Sequence, residues 1–395
     1  MAREQNAVIR QKRKKQVKVR PYYYDYNLLA AVILLICFGL VMLYSASYYE
    51  AIQKIKGDDM FYFRKQALIS LASVAAAVII SKMNYRIFSK LAGFVYISAF
   101  VLMGMVRFSP LGYGANGSKR WLNLKVIQFQ PSEVAKIAVI LFLPVVIIKM
   151  GKQVKSLKAV CILLIVGGVQ ALGAKVFTDN LSTALIILGI ACVLIYLAHP
   201  KTMPFVIAMA AAGILIAVGL TFIAANIDAT SGFRIRRVLT WLNPEGNLED
   251  GGFQVIQGLY AIGSGGFFGK GLGNSEQKLS TIPEAQNDMI FSIICEELGV
   301  FGAVLVLLMF GYLLYRLFFI AQNAPDLYGS LIVSGIFAHI SLQVILNICV
   351  VLNLIPTTGI TLPFISYGGT SVLFLMIEIG IALSVSRQIK FTSES

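Results

Sequence analysis

The chain is 395 residues long, 57% apolar and 13% charged, about half the charged share of a soluble domain. That excludes an ordinary soluble globular protein. The net charge of +15 would suit a nucleic-acid binder, but eight of its cations sit in one short tail, where anionic lipid headgroups account for them at about 1 kcal/mol each.

That tail opens the chain. Arg3, Arg10, Lys12, Arg13, Lys14, Lys15, Lys18 and Arg20 face one acid, Glu4, within the first twenty residues. The run is too long, and lacks the cleavage site, for a signal peptide. Tyr22, Tyr23, Tyr24 and Tyr26 then supply an interfacial aromatic anchor. Ten apolar spans follow, near 28–46, 66–82, 88–106, 134–150, 157–173, 181–198, 203–226, 289–317, 329–352 and 366–386. Each approaches the ~20 residues that cross a bilayer core. Backbone at that depth must satisfy its own hydrogen bonds, so the spans are helices. The fold expected is an all-α polytopic membrane protein with one long extracytoplasmic loop, 227–288, between helices 7 and 8. Residues 1–26 form a basic tail, 27–388 a single transmembrane domain and 389–395 a C-terminal tail.

An even number of spans puts both termini on one side. With the long loop and the intrahelical Lys90 and Lys136 set aside, 18 Lys and Arg fall on the side of the termini and 9 on the other. Positive residues stay inside, so both termini are expected in the cytoplasm and the long loop outside.

Three outside segments carry the polar residues. The loop after the third span holds Arg107, Lys119, Arg120 and Lys125 and ends in Gln130-Pro131-Ser132-Glu133. Proline at the first helical position and an acid in the first turn start the fourth helix there. Glu133 and Lys136 then share a face and can pair, either as a local ion pair or as part of a site. The long loop carries Arg234, Arg236 and Arg237, then the glycine-rich run Gly263 to Gly273. The Walker pattern fails there, with Ser264 and Gly271 where glycine and Ser/Thr are required, so tight turns lying on the membrane are expected instead. Between the ninth and tenth spans, Asn353 to Ser371 is too apolar for a free loop and too rich in Pro and Gly for a helix. Irregular backbone of that kind survives only buried or beside a wet cavity.

The chemistry should centre on Asp288, at the start of the eighth helix, because a general base must be both ionised and reachable; a simple helix cap is the plain alternative. Glu296 lies about 12 Å further along and about 80° around, and Glu297 on the opposite face, so the three form no compact cluster. Forked guanidinium groups outside suit phosphate oxygens. A carboxylate base, a cationic cluster and an apolar flank together suit a lipid-linked diphosphate. Two isolated histidines, His199 and His339, and five cysteines within helices make a zinc site or a disulfide framework unexpected.

These residues resemble the SEDS family of bacterial peptidoglycan polymerases, with its FtsW, RodA and sporulation branches. Similarity runs from about Tyr26 to Arg387 through Gly117-Ser118-Lys119-Arg120-Trp121, Gln130-Pro131-Ser132-Glu133, Ala261-Ile262-Gly263-Ser264-Gly265-Gly266, Pro283-Glu284-Ala285, Glu296-Glu297-Leu298-Gly299 and Pro363-Phe364-Ile365-Ser366-Tyr367-Gly368-Gly369. The resemblance implies a glycosyltransferase that polymerises lipid II at the outer face of the cytoplasmic membrane. Asp288 matches the family's essential aspartate, presumed to activate the acceptor hydroxyl. Substrate contacts are then expected from Lys119, Arg120, Glu133, Lys136, Arg234, Arg237, Gln277, Glu284, Gln286 and Ser366. No nucleotide or organic cofactor is implied; whether a divalent cation, Mg2+ or Mn2+, sits beside Asp288 is left open, since carboxylates near diphosphate often hold one. The implied partners are a class B penicillin-binding transpeptidase, other divisome proteins and membrane lipids, with no nucleic acid. Tyr24-Asp25-Tyr26, Tyr44-Ser45-Ala46-Ser47 and the basic tail resemble the division branch, FtsW, which implies a septal location.

Two positions depart from the family pattern. Gln286 stands where histidine is usual and cannot carry a proton at neutral pH, and Asn180 replaces an acid before the sixth span. Two other classes remain open on the residues alone. A lipid II flippase would fit the polar cavity, though no inverted repeat is visible. A non-catalytic division scaffold would leave Asp288 and the outside arginines without a shared purpose.

Overall fold

Lipid offers the backbone no hydrogen-bond partner, so each apolar run must fold on itself, and the computed structural model is built of long helices. It describes residues 23–54, 57–115, 118–123, 128–207, 233–279, 282 and 285–390, with a few isolated positions between 210 and 218. Six helices lead: α1 (Tyr26–Lys54), α2 (Phe61–Lys82), α3 (Arg86–Phe108), α4 (Pro131–Met150), α5 (Leu157–Thr178) and α6 (Leu181–Ala198). The next span expected, 203–226, lies largely outside the described residues. The long loop contributes α7 (Phe233–Leu242) and α8 (Phe253–Ser264), and the chain ends with α9 (Ile290–Gln322), α10 (Leu327–Val351) and α11 (Ser371–Ser386). Eight of the described helices are long and apolar enough to cross a membrane, and α11 is a shorter apolar helix.

Helices α4 and α10 are innermost, burying Ala138, Val139, Ile140 and Leu143 on one and Ile332, Val333 and Ile336 on the other. Apolar residues all round a helix mark such a core position. α11 packs against α2, α3 against α4, and α5 against α6. Leu68, Leu71, Ile79 and Phe94 are exposed on the outer helices, where lipid would cover them. All five cysteines are free.

One departure from all-helix is a small antiparallel sheet after α3: β1 (Gly112–Ala115), β2 (Ser118–Asn123) and β3 (Gln128–Phe129), in that order. Tyr113 sits opposite Trp121, an aromatic cross-strand pair of the kind that stabilises sheets. Proline opens α4 at Pro131 with Glu133 in the first turn.

The glycine-rich run does more than turn. α9 is kinked at Gly299, where φ is 66°, and a kink strands backbone groups that must find other partners. Glu296 O and Glu297 O accept from Lys270 N and Gly271 N, while Val300 N and Phe301 N donate to Gly266 O and Phe267 O. The loop backbone thus completes the helix across its break. Only glycines permit the approach: a Cβ on Gly299 would lie 2.4 Å from Gly269 N, and one on Gly269 2.2 Å from Glu297 O. The run is bonded to α9 rather than merely resting on the bilayer.

Candidate functional site

A cavity of about 1590 Å³ opens where these elements converge. Its wall includes the C-terminal end of α1 and the first half of α2, the sheet, the start of α4, the α5–α6 turn, α7, the segment 285–288 and the irregular segment after α10.

That irregular segment is the part hardest to accommodate at membrane depth, because unbonded carbonyls are costly there. Side-chain donors from other elements satisfy them one by one. Trp241 Nε1 donates to Asn353 O at 2.9 Å, Arg237 Nη1 to Thr357 O at 3.0 Å, Ser182 Oγ to Thr358 O at 2.7 Å, Asn347 Nδ2 to Ile360 O at 2.7 Å and Gln343 Nε2 to Thr361 O at 3.0 Å. Held this way, Gly359, Ile360, Thr361, Tyr367 and Gly368 line the cavity.

Asp288 lines it too, in the turn just before α9. The cap position of α9 is Met289, one residue beyond Asp288. Its carbonyl accepts from Asn347 Nδ2 at 2.8 Å, and its Oδ2 lies 4.0 Å from where Gly359 would carry a Cβ. Arg120 on β2 and Arg237 on α7 reach the same cavity. Burial, and next the Arg120 charge, pull Arg237 below the usual arginine range, while Asp288 pulls it back up. Arg237 thus lies within electrostatic reach of both the Arg120 guanidinium and the Asp288 carboxylate. Arginine keeps its proton regardless.

Glu133 and Lys136 line the cavity as a buried pair at 2.9 Å. Gln286 lines it as well, donating from Nε2 to Glu50 Oε2 at 2.8 Å. Asn180 caps α6, its Oδ1 accepting from Thr183 N at 3.0 Å, which any Asx residue does equally well. The other expected contacts lie elsewhere. Lys119 is exposed and off the cavity wall; adjacent strand residues point to opposite faces, and Arg120 is the neighbour that turns in. Ser366 is buried behind the wall, its hydroxyl accepting from Leu362 N at 2.8 Å. Gln277 sits with the Glu296 pair rather than at the cavity, donating its N–H to Glu296 Oε2 at 3.4 Å. Glu284 and the Arg234 side chain lie outside the described residues.

Glu296 and Glu297 are fully buried and are not on the cavity wall; each pairs with its own lysine, and the one beside Glu297, Lys278, lines the cavity. Glu296 accepts from Lys270 Nζ at 2.9 Å, from the Ser275 hydroxyl and from Glu276 N at 3.1 Å. Its bond to Lys270 raises that lysine's pKa. Glu297 accepts from Lys278 Nζ at 2.6 Å and from Ser45 Oγ at 2.6 Å. Sequence reasoning missed both lysines and Glu50. Residues 46, 49, 50 and 53 of α1 all face the cavity, a helical three-and-four spacing that extending the first span past 46 would have exposed. Among the described residues no group of three or more His, Cys, Asp or Glu is placed to hold a metal ion.

Residues 26–391 match the family model for the FtsW, RodA and SpoVE cell cycle proteins. Stage V sporulation protein E of Bacillus subtilis (strain 168) is 39% identical over 377 residues, covering 93% of this chain and 98% of that one. A probable peptidoglycan glycosyltransferase FtsW of Geobacter sp. (strain M18) is 34% identical over 369 residues, with 93% and 98% covered. Among solved structures, a chain of a peptidoglycan synthase complex that coordinates polymerization and crosslinking superposes with a TM-score of 0.75 at 26% identity, over 92% of this chain and 97% of that one. The Thermus thermophilus rod shape determining protein RodA shares the fold, with a TM-score of 0.62 at 24% identity over 92% and 96% of the two chains.

Proposed function

The chain belongs to the FtsW/RodA/SpoVE family and is by that kinship a peptidoglycan glycosyltransferase, and we propose that it polymerises lipid II outside the membrane with Asp288 as general base. The carrying observation is the convergence of Asp288, Arg120 and Arg237 on one large cavity. Asp288 takes the proton from the acceptor 4-hydroxyl as its oxygen attacks the donor's anomeric carbon. The bond from that carbon to the diphosphate breaks, and undecaprenyl diphosphate leaves with the electron pair. Arg120 and Arg237 stabilise the charge that develops on the leaving oxygens, where fixed donors have most effect. The buried Glu133–Lys136 pair orders the wall between them. No nucleotide or organic cofactor is needed, because the donor carries its own leaving group.

A crosslinking transpeptidase of the penicillin-binding class is the proposed partner, as the likeness to a complex of polymerization and crosslinking suggests. The proposed setting is the division septum. The 39% identity with a sporulation protein favours a second setting, wall synthesis during sporulation; loss of the gene would arrest division in the first case and spare it in the second.

The test is polymerisation of labelled lipid II by purified wild type and Asp288→Asn, with the transpeptidase and without. Polymer from wild type alone, with the variant folded and inert, is expected. Equal polymer from both would remove Asp288 from the role, and none from either would favour the flippase.

A further inference from the structure

The cavity holds a further carboxylate besides Asp288 and Glu133. Glu50 lies near the C-terminal end of α1 and lines the cavity with Asp288. It belongs to a closed ring of contacts between four elements. Glu50 Oε2 accepts from Gln286 Nε2 at 2.8 Å, and Glu50 Oε1 is approached by the Tyr62 hydroxyl of α2 at 3.5 Å. The Tyr62 ring meets the Tyr367 ring edge-on at 5.1 Å. Tyr367 N closes the ring by donating to Gln286 O at 2.9 Å.

Gln286, 2% exposed, is thus held at both its side chain and its carbonyl, two residues before Asp288. A hydrogen bond to a carboxylate is roughly twice as strong as a neutral one, so Glu50 is the stiffest of these contacts. Asn347 holds the carbonyl of Asp288 itself at 2.8 Å. We infer that Glu50 is a positioning residue, acting through Gln286 to fix the turn that carries Asp288. The inference rests on the base reading above. A misplacement of about 1 Å at a reacting group can cost about a hundredfold in rate, which sets the size of the effect.

The experiment compares Glu50→Ala, Gln286→Ala, their double variant and Glu50→Gln in lipid II polymerisation. The two alanine variants should each lower kcat about tenfold to a hundredfold at nearly constant KM. The double variant should be no worse than the poorer single one, since the two act as one unit. Glu50→Gln still offers an acceptor oxygen to Gln286 and should recover most of the loss. Losses that multiply, a rise in KM alone, or Glu50→Gln as poor as Glu50→Ala would each overturn the inference. Hydrogen exchange of residues 285–290 gives a readout without turnover: it should quicken in Glu50→Ala and stay at the wild-type rate in Glu50→Gln. Unchanged exchange in Glu50→Ala overturns the inference by itself. Wild type inert with ordered exchange as expected would instead count against the base reading alone.

Discussion

At the scale of single residues, one buried ion pair joins the cavity wall to α9, through Lys278 on the wall and Glu297 behind it. Glu297 is fully buried, with Lys278 only 6% exposed beside it at 2.6 Å. Taking the cation away leaves a carboxylate in apolar surroundings with the Ser45 hydroxyl at 2.6 Å as its remaining side-chain donor. Lys278→Met should therefore cost about 3–5 kcal/mol, the penalty for orphaning one partner of a buried pair. The double change Lys278→Met with Glu297→Gln should return most of it, because no charge is then left behind. Thermal unfolding in detergent measures both, and a single variant as stable as wild type would count against a structural role for the pair. The two glutamates were legible in the sequence as costly intramembrane groups that need partners. Their lysines were not, because Lys278 and Glu297 lie 19 positions apart and meet only through the course of the loop.

At the scale of elements, the glycine-rich run and α9 form one unit. The kink breaks the helix ladder, and four loop backbone groups replace the missing partners. Gly299→Ala would combine a left-handed φ of 66° with a methyl 2.4 Å from Gly269 N and Phe267 O. The clash is with backbone, which cannot swing aside, so the loss should exceed the ~1–3 kcal/mol of local strain alone. Gly263→Ala is the matched control: it sits in α8 with nothing within 4 Å of an added Cβ and should be neutral or stabilise by about 0.4–1 kcal/mol. Faster proteolysis of residues 265–273 in Gly299→Ala but not in Gly263→Ala would show the loop lifting off; identical digestion would sink the idea that it splints the kink. Sequence reading found the tight turns correctly but not what they were tight against. Element ends were misjudged for a similar reason. α1 runs to Lys54 rather than to 46 because its last turns, polar and aromatic, pack against the loop and the cavity instead of lipid. α11 begins at Ser371 rather than at 366 because Tyr367 to Thr370 is spent on the cavity wall. The small sheet escaped notice because its strands are only two to six residues long, below what alternation can reveal.

At the scale of the whole molecule, the reaction fixes which way the chain must sit. On the proposed reaction lipid-linked donors are joined to glycan outside, which requires Asp288 to open outward. The charge pattern and two contacts, one ion pair and one hydrogen bond, bear on how the chain is arranged. The 18-to-9 split of cations outside the long loop is the pattern expected if the termini are inside. Asp25, at the start of α1, pairs with Arg316 near the end of α9 at 2.7 Å, which brings the N-terminal end of one span to the C-terminal end of another. Ser45 then meets Glu297 at 2.6 Å, about 30 Å away along α1 at 1.5 Å per residue. That is one bilayer core, and it places the Asp288 cavity at the face opposite the Asp25–Arg316 pair. The eight described spans were plain in the sequence because lipid enforces their length; the face on which the cavity opens is an expectation from the charges between them. The arrangement can be checked with single cysteines in a cysteine-free chain. Leu272, 55% exposed in the glycine-rich run, and Leu327, 58% exposed at the start of α10, lie at opposite ends of the bundle. In intact cells a membrane-impermeant maleimide should label Leu272→Cys at once and Leu327→Cys only after permeabilisation. The reverse pattern would put the Asp288 cavity in the cytoplasm, where a polymer made at that site could not reach the wall without crossing the membrane, and the polymerase reading of the cavity would fall with it.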